Sequence, residues 1–198
     1  MNIILANPRG FCAGVDRAIE ITNKALDIFG APIYVKHEIV HNKYVVDELK
    51  EKGVIFIEDV KKIPQHSILI YSAHGVSEKI IQESNERNLQ VFNATCPLVT
   101  KVHMEVARLS KKRINTILIG HKGHPEVEGT IGRYKSSSKS KIILVENEDD
   151  VKNLKFDTND EIAYVTQTTL SIDDTLNIIN AIKNKYNNVI EPARGDIC

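Results

Sequence analysis

The sequence predicts an α/β fold built from two small parallel-sheet units in tandem, which meet at a metal site. Short apolar runs alternate with helical patterns over most of the 198 residues, as in parallel sheets with crossover helices. Each half of the chain holds enough elements for one small unit, and each half ends at a cysteine. We therefore expect one unit over residues 1–96 and a second over residues 97–198.

Short apolar runs bounded by polar or turn-forming residues predict the strands. In chain order they cover residues 3–5, 54–57, 68–71, 91–92, 116–119, 142–145 and 162–165. Segments with apolar residues at helical spacing predict the helices. They cover residues 13–29, 43–52, 77–87, 98–111, 126–134, 148–154 and 172–185. The polar stretch 135–141 predicts an exposed loop.

Composition narrows the class of partner. The sequence has 26 basic and 26 acidic residues, so its formal net charge is zero. No basic patch for nucleic acid or for an anionic membrane stands out, and we expect a small-molecule partner. No apolar run reaches membrane-spanning length and no secretory leader pattern opens the chain. We therefore expect a cytoplasmic protein with reduced thiols.

The three cysteines are the most informative residues of the chain. Cys12, Cys96 and Cys198 each follow a strand-like run at a polar turn. A lone cysteine is usually a small buried side chain. Cys12 and Cys96, however, stand just before predicted helix N-termini, where partial positive charge favours thiolates and bound anions. Such thiolates are good metal ligands.

Spacing alone leaves the identity of the metal open. No Cys-x-x-Cys pair is present, so zinc-ribbon and thioredoxin spacings are absent. Three thiolates and a histidine can close a structural zinc site, whereas three thiolates on an iron-sulfur cube leave one iron free for a substrate. A disulfide is less favoured because an odd number of cysteines leaves one thiol over.

Histidines gather beside the predicted strand ends. His41 precedes a predicted helix, His74 follows a strand directly, and His121 and His124 follow another strand. One such histidine usually makes only local hydrogen bonds, but several at the same topological position indicate a ligand site. Imidazole N–H groups suit phosphate oxygens, helped by glycines such as Gly75 that let backbone N–H groups approach an anion.

Two further segments add polar chemistry. Glu126 follows Pro125 at the start of a predicted helix, where a carboxylate often only favours the helix dipole. Beside a metal and histidines it would serve better as a proton donor. The segment TQTTLS, which contains Thr168, follows a strand and adds hydroxyl and amide groups. Its simpler role is a strand end with Ser171 capping the next helix.

Six segments together resemble a known family: NPRGFCAGVDRA, VKHEIVHN, SAHGVS, FNATCPLVTKVH, GHKGHPEVEGT and TQTTLS. They closely resemble the 4-hydroxy-3-methylbut-2-enyl diphosphate reductases, the IspH/LytB family of iron-sulfur enzymes that act last in the non-mevalonate isoprenoid pathway. The resemblance runs from Met1 to Cys198. The segments are long, ordered and near-continuous, which makes a chance match no serious alternative.

The resemblance implies roles for individual residues. Three cysteines would hold a 4Fe-4S cluster: Cys12, Cys96 and Cys198. Three histidines would contact the substrate diphosphate: His41, His74 and His124. Glu126 would deliver a proton, and Thr168 would place a hydroxyl near the substrate.

The implied reaction is a two-electron reductive dehydroxylation of 4-hydroxy-3-methylbut-2-enyl diphosphate. It gives isopentenyl and dimethylallyl diphosphates, with electrons from a ferredoxin or flavodoxin. The family has three α/β units around a central iron-sulfur site, and we expect only two within residues 1–198, without the third unit's diphosphate-binding Ser and Asn residues.

Other functional classes stay open at this point. The chain is alternatively a non-catalytic zinc or iron-sulfur module, an inactive fragment of the reductase, or a thiol-dependent enzyme with a cysteine nucleophile.

Overall fold

The computed structural model describes residues 3–7, 9–192 and 195–198. Within these ranges the chain forms two four-stranded sheets, and all of their strand pairs are parallel. The predicted α/β fold with parallel sheets is confirmed. No helix in the described part of the chain combines the length and the apolar character needed to cross a membrane.

The first sheet has the strand order β2-β1-β3-β4. Its strands are β1 (Ile33–Lys36), β2 (Val54–Ile57), β3 (Ile68–Tyr71) and β4 (Gln90–Asn93). Helix α1 (Ala13–Phe29) precedes the sheet, α2 (Lys43–Glu51) connects β1 to β2, and α3 (Glu78–Glu86) connects β3 to β4. A 3-10 turn, Val60–Lys62, lies between β2 and β3. The central strands β1 and β3 carry fully buried side chains, including Ile33, Val35, Leu69 and Ile70.

The second sheet has the order β6-β5-β7-β8 and lies after residue 97. Its strands are β5 (Asn115–Ile119), β6 (Ile142–Val145), β7 (Glu161–Thr166) and β8 (Asn188–Ile190). The helices are α4 (Pro97–Lys112), α5 (Pro125–Ile131), α6 (Glu148–Asn153) and α7 (Ile172–Lys185). Its core is apolar and includes Ile117, Ile119, Ile162 and Ile182.

Most predicted elements agree with the structure. The strands predicted at 54–57, 68–71 and 142–145 and the helices predicted at 13–29 and 172–185 have the observed bounds. The other predicted helices and strands after residue 43 differ by one to three residues at an end. Helix N-caps explain several starts, since the side chains of Asn42, Ser77 and Ser171 accept hydrogen bonds from the first turns of α2, α3 and α7.

The strand predicted at residues 3–5 is wrong. Ile3, Ile4 and Leu5 form no strand, and their side chains are 66–92% exposed. These three apolar residues are therefore not buried against any strand in the described part of the chain. Conversely, β1 and β8 escaped prediction. β8 has only three residues. β1 lies inside its sheet, but its sequence IYVK ends in a lysine, whereas the predicted strands β2, β3 and β6 are apolar throughout.

Helix α5 packs closely on the loop between β3 and α3, and this contact joins the two halves of the chain. A Cβ added at Gly129 would lie 3.4 Å from the backbone of that loop. At Gly132 an added Cβ would lie 2.2 Å from the Cβ of Ser77. Arg133 Nη1 also donates to Glu78 Oε1 at 2.6 Å. Gly129 on α5 and Gly132 at its C-cap therefore allow this close approach to the β3–α3 loop.

We expect Gly132→Ala to lower the free energy of unfolding by about 1–3 kcal/mol, the usual cost of overpacking. Gly132 has an ordinary φ of −66°, so alanine meets no backbone strain and its higher helix propensity would favour it. A loss of stability would therefore come from the contact with Ser77. Urea unfolding followed by circular dichroism measures the change.

Gly195→Ala is the matched control, because nothing lies within 4 Å of a Cβ at that position. This substitution should leave the urea concentration at the midpoint of unfolding unchanged. A Gly132→Ala protein that is as stable as the wild type would contradict the described packing.

Candidate active site

Cys12 and Cys96 meet at the starts of two helices. Cys12 is the N-cap residue of α1 and Cys96 that of α4, and neither thiol makes a capping hydrogen bond. A Cβ added at Gly14 would lie 2.7 Å from Cys96 Sγ and 3.9 Å from Cys12 Sγ. The missing side chain of Gly14 thus leaves room between the two sulfurs.

Arg17 ties together the two segments that carry these cysteines. Its Nη1 donates to the carbonyl of Thr95 at 3.1 Å, and its Nη2 donates to the carbonyl of Asn93 at 3.2 Å. Arg17 lies on α1, and Thr95 directly precedes Cys96. One guanidinium therefore fixes the start of α4 against α1.

Cys198 approaches from the second half of the chain. Its backbone N–H donates to the carbonyl of Thr168 at 2.8 Å. Two residues earlier, Asp196 is buried and accepts a hydrogen bond from Lys101 Nζ at 3.1 Å. Lys101 lies on α4, the helix that begins after Cys96. Helix α4 thereby holds one cysteine at its start and restrains the segment of another.

The three thiols share one electrostatic environment. Burial raises the pKa of the Cys198 thiol, and Cys12, Cys96 and Glu126 raise it further. A metal centre would compensate the negative charge of three thiolates at this place. The soft donor set and the room at Gly14 fit an iron-sulfur cluster.

His41, His74 and His124 form a second group, which we call the three-histidine cluster. Their ring centroids are 4.2–5.5 Å apart, and one nitrogen from each ring lies within 4.8 Å of the others. His41 follows β1, His74 follows β3, and His124 is the N-cap residue of α5. The cluster therefore draws on both halves of the chain.

The backbone of α5 determines which nitrogen of His124 carries the proton. Its Nδ1 accepts a hydrogen bond from the backbone N–H of Glu126 at 3.1 Å. Because an N–H group can only donate, Nδ1 keeps its lone pair and the neutral ring carries its proton on Nε2. His124 Nε2 then donates to His41 Nε2, 3.1 Å away. A protonated nitrogen is not a metal ligand, so this arrangement favours an anion despite the close spacing.

Two rings of the cluster, those of His74 and His124, are neutral near pH 7 when no ligand is bound. Burial lowers the pKa of His74 to about 3, and the neighbouring His41, His124 and His37 lower it as well. Burial also lowers the pKa of His124, with smaller effects from His41, His121 and His37. These rings act as neutral N–H donors rather than as cations.

Glu126 and Thr168 form a buried pair beside Cys198. Glu126 Oε1 accepts from the Thr168 backbone N–H at 2.6 Å, and Oε2 accepts from the Thr168 hydroxyl at 3.0 Å. Burial raises the pKa of Glu126, while both hydrogen bonds from Thr168 oppose the rise. A buried carboxyl of this kind keeps its proton to higher pH than an exposed glutamate, as a general acid requires.

Two expectations about individual residues differ from the structure. His121 is exposed and lies outside the three-histidine cluster, where its backbone N–H donates to Gln167 Oε1 at 3.0 Å. The N–H of Gly75 donates to the carbonyl of Ser72, so it is not offered to an anion. Gly75 is needed because its φ is +76° and because a Cβ would lie 2.6 Å from the ring of His103.

Several residues of the site were not predicted from sequence. They position or polarise the predicted residues through long-range contacts: Gly14, Arg17, His37, Lys101 and Asp196. Arg17 and His37 stand inside the segments that carry the family resemblance, and that location is the signal that could have found them. Gly14 and Lys101 lie inside those segments as well. Asp196 lies outside them, and its ion pair with the distant Lys101 leaves no local pattern.

A family model described as LytB protein matches residues 3–198. The chain belongs to the LytB family. Over its 198 residues this LytB chain is 58% identical to the 4-hydroxy-3-methylbut-2-enyl diphosphate reductase of Chromohalobacter salexigens and covers 62% of that protein. It is 57% identical to the protein of the same name from Saccharophagus degradans and covers 64% of it. The chain thus spans a little under two thirds of the length of these relatives.

Solved structures agree with this family. The 1-hydroxy-2-methylbut-2-enyl 4-diphosphate reductase of Plasmodium falciparum is similar to the LytB chain with a TM-score of 0.91 and 47% identity, over 97% of this chain and 59% of that one. A second structure, described as the terminal enzyme of the non-mevalonate pathway, has a TM-score of 0.82 and 30% identity. The similarity extends over 99% of this chain and 68% of that one.

We expect Thr168→Val in the LytB chain to raise the pKa of Glu126. The variant keeps the shape of the side chain and the backbone hydrogen bond but removes the hydroxyl that donates to Oε2. That hydroxyl stabilises the carboxylate, so its loss favours the protonated form. Carbon-13 NMR titration of the glutamate carboxyl groups measures the shift.

Thr169→Val is the neighbouring control, since the hydroxyl of Thr169 accepts from Gln167 Nε2, whereas the hydroxyl that donates to Glu126 belongs to Thr168. A pKa of Glu126 that stays constant or falls in Thr168→Val would show that the hydroxyl does not stabilise the carboxylate.

Proposed function

We propose that this chain carries the active site of a 4-hydroxy-3-methylbut-2-enyl diphosphate reductase. The observation that supports this most strongly is the position of Thr168. Its amide and hydroxyl bind Glu126, and its carbonyl accepts the N–H of Cys198. One residue thereby places a proton-donating carboxyl beside a cysteine of the candidate cluster site. The names of the relatives favour the same reaction.

Cys12, Cys96 and Cys198 would hold a 4Fe-4S cluster. When bound, such a cluster supplies electrons and one iron without a cysteine ligand, which is a Lewis acid for a hydroxyl oxygen. The chain itself provides the three thiolates and the space beside Gly14. The three-histidine cluster would bind the diphosphate end of the substrate with its N–H donors.

The proposed reaction consumes two electrons and two protons. The allylic carbon–oxygen bond breaks, the hydroxyl group leaves as water, and the carbon skeleton takes up a proton to give isopentenyl or dimethylallyl diphosphate. Glu126 would deliver a proton from its carboxyl oxygen, and the Thr168 hydroxyl would stay beside the substrate hydroxyl. Electrons would come singly from a ferredoxin or flavodoxin.

We also propose that residues 1–96 and 97–198 act as two units of this active site. Each provides part of it: the first unit holds Cys12, His41 and His74, and the second holds Glu126 and Cys198. A cytoplasmic location is part of the same proposal.

Anaerobic purification followed by visible spectroscopy and an activity assay tests the function. A brown, reducible protein that converts the allylic diphosphate with a chemical reductant supports it. A colourless protein that loses structure with a chelator would indicate a zinc module. A colourless protein that is inactivated by alkylation would indicate a cysteine nucleophile.

We expect Cys12→Ser and Cys96→Ser each to lose bound iron. A serine hydroxyl is a far poorer ligand for iron than a thiolate, and two cysteines do not hold the cluster firmly. Iron and sulfide analysis after anaerobic reconstitution measures the loss, and circular dichroism shows whether the fold persists. Full iron and sulfide content in either variant would exclude that cysteine as a ligand.

We expect Glu126→Gln to keep the cluster but to lower turnover by roughly two to four orders of magnitude, the usual effect of losing a general acid. Glutamine keeps the size of the side chain and can still accept from Thr168. The measurement is kcat under anaerobic conditions, with visible absorbance as the check on the cluster.

Glu128→Gln is the control, because Glu128 is exposed on the same helix and has no contact with Thr168. Its turnover should stay close to that of the wild type. Unimpaired turnover in Glu126→Gln would remove Glu126 from the mechanism.

A further inference from the structure

The charges that lower the pKa of His74 and His124 come from other histidines in the described part of the chain. The charged groups that act on His74 are His41, His124 and His37, and those that act on His124 are His41, His121 and His37. All of them are histidines. Lys36, which ends the strand before His41, donates instead to Glu58 Oε2 at 3.0 Å. A diphosphate bound here would therefore have to be neutralised by the histidines themselves.

In the free cluster, the hydrogen bonds leave His41 Nε2 without the proton that it needs to donate to an anion. His124 Nε2 donates to His41 Nε2, so His41 Nε2 presents a lone pair toward the cluster. A phosphate oxygen also presents lone pairs, and the two would repel. His41 must therefore carry a proton on Nε2 before it can contact the anion.

Neither of the other two rings can accept a second proton as readily. A proton on His124 Nδ1 would face the Glu126 N–H and break the N-cap of α5. His74 is enclosed, and its Nδ1 already lies 3.4 Å from the hydroxyl of Ser72. The ring of His41 is exposed, so water can solvate the charge that a second proton brings.

We propose that the three-histidine cluster binds its anion together with a proton, which His41 takes up on Nε2. The groups that face His41 are His74 from the β3–α3 loop and His124 from the start of α5. His37 acts electrostatically on both of these rings, and His121 acts on His124. This proposal deepens the proposed function, since the natural anion would be the substrate diphosphate. It can nevertheless be tested with inorganic anions alone.

Proton uptake makes binding dependent on pH. The bound state holds one more proton than the free state, so mass action weakens binding as the pH rises. The affinity for the anion should fall by up to about tenfold for each pH unit above neutrality. A simple shift of the His41 proton from Nδ1 to Nε2 would supply a donor without this dependence.

Isothermal titration calorimetry of the purified chain separates the two cases. Sulfate is the first probe because it has no proton to lose near neutral pH, and inorganic pyrophosphate is the second. Each titration is repeated at about pH 7.5 in buffers with different heats of ionisation, which gives the number of protons bound. We expect roughly one proton for each sulfate.

Two variants complete the test. His41→Asn should bind sulfate more weakly and without proton uptake, whereas His121→Asn, a change in an exposed neighbour, should keep the wild-type uptake. Sulfate binding by the wild type without proton uptake would overturn the proposal. Unchanged uptake in His41→Asn, or no anion binding by a folded chain, would overturn it as well.

The outcome is distinct from that of the proposed function. Turnover with proton-independent anion binding would refute the proton uptake and leave the reductase proposal in place. Proton-linked anion binding in a brown protein without turnover would support the proton uptake and refute the reductase proposal.

Discussion

The packing of helix α5 against the β3–α3 loop is the contact on which the rest of the site depends. Gly129 and Gly132 allow this approach, and the start of the same helix carries His124 and Glu126. His124 thereby meets the two histidines of the first half, while Glu126 reaches Thr168 in the turn after β7. A wider spacing would separate His41 and His74 from His124 and Glu126, although each half would keep its own core.

The chemistry of the anion site reflects a compromise between burial and charge. A buried lysine needs a partner carboxylate, as Lys36 and Glu58 show, and such a carboxylate would repel a diphosphate. Histidines avoid the conflict because their neutral form costs little to bury and still donates a hydrogen bond. The site can therefore be enclosed without a counter-charge, and its donors are oriented by local bonds such as the one from Glu126 to His124.

Sequence patterns predicted much of this molecule, and the failures have physical causes. Helical periodicity located α1 and α7 correctly. The four-residue strands β2, β3 and β6 are apolar throughout and were predicted, whereas the apolar run of β1 is interrupted by Lys36. Apolar residues 3–5 look like a strand, but an apolar run becomes a strand only where a neighbour pairs with it. Strand ends also indicated where the histidines lie. The tautomer of His124 and the bonds of Arg17 to carbonyl oxygens depend on tertiary contacts, which no local pattern contains.

Helix α4 links the positions of two of the cysteines. Cys96 stands at its start, and Lys101, one turn further along, holds Asp196 and with it the segment of Cys198. A sliding motion of this helix would carry both sulfurs in the same direction and change mainly their separation from Cys12. Arg17 opposes that motion, because it donates hydrogen bonds to the carbonyl groups of Thr95 and Asn93, which precede the helix. Arg17 is thus one of the contacts that keep Cys12 and Cys96 in register, although it touches neither thiol.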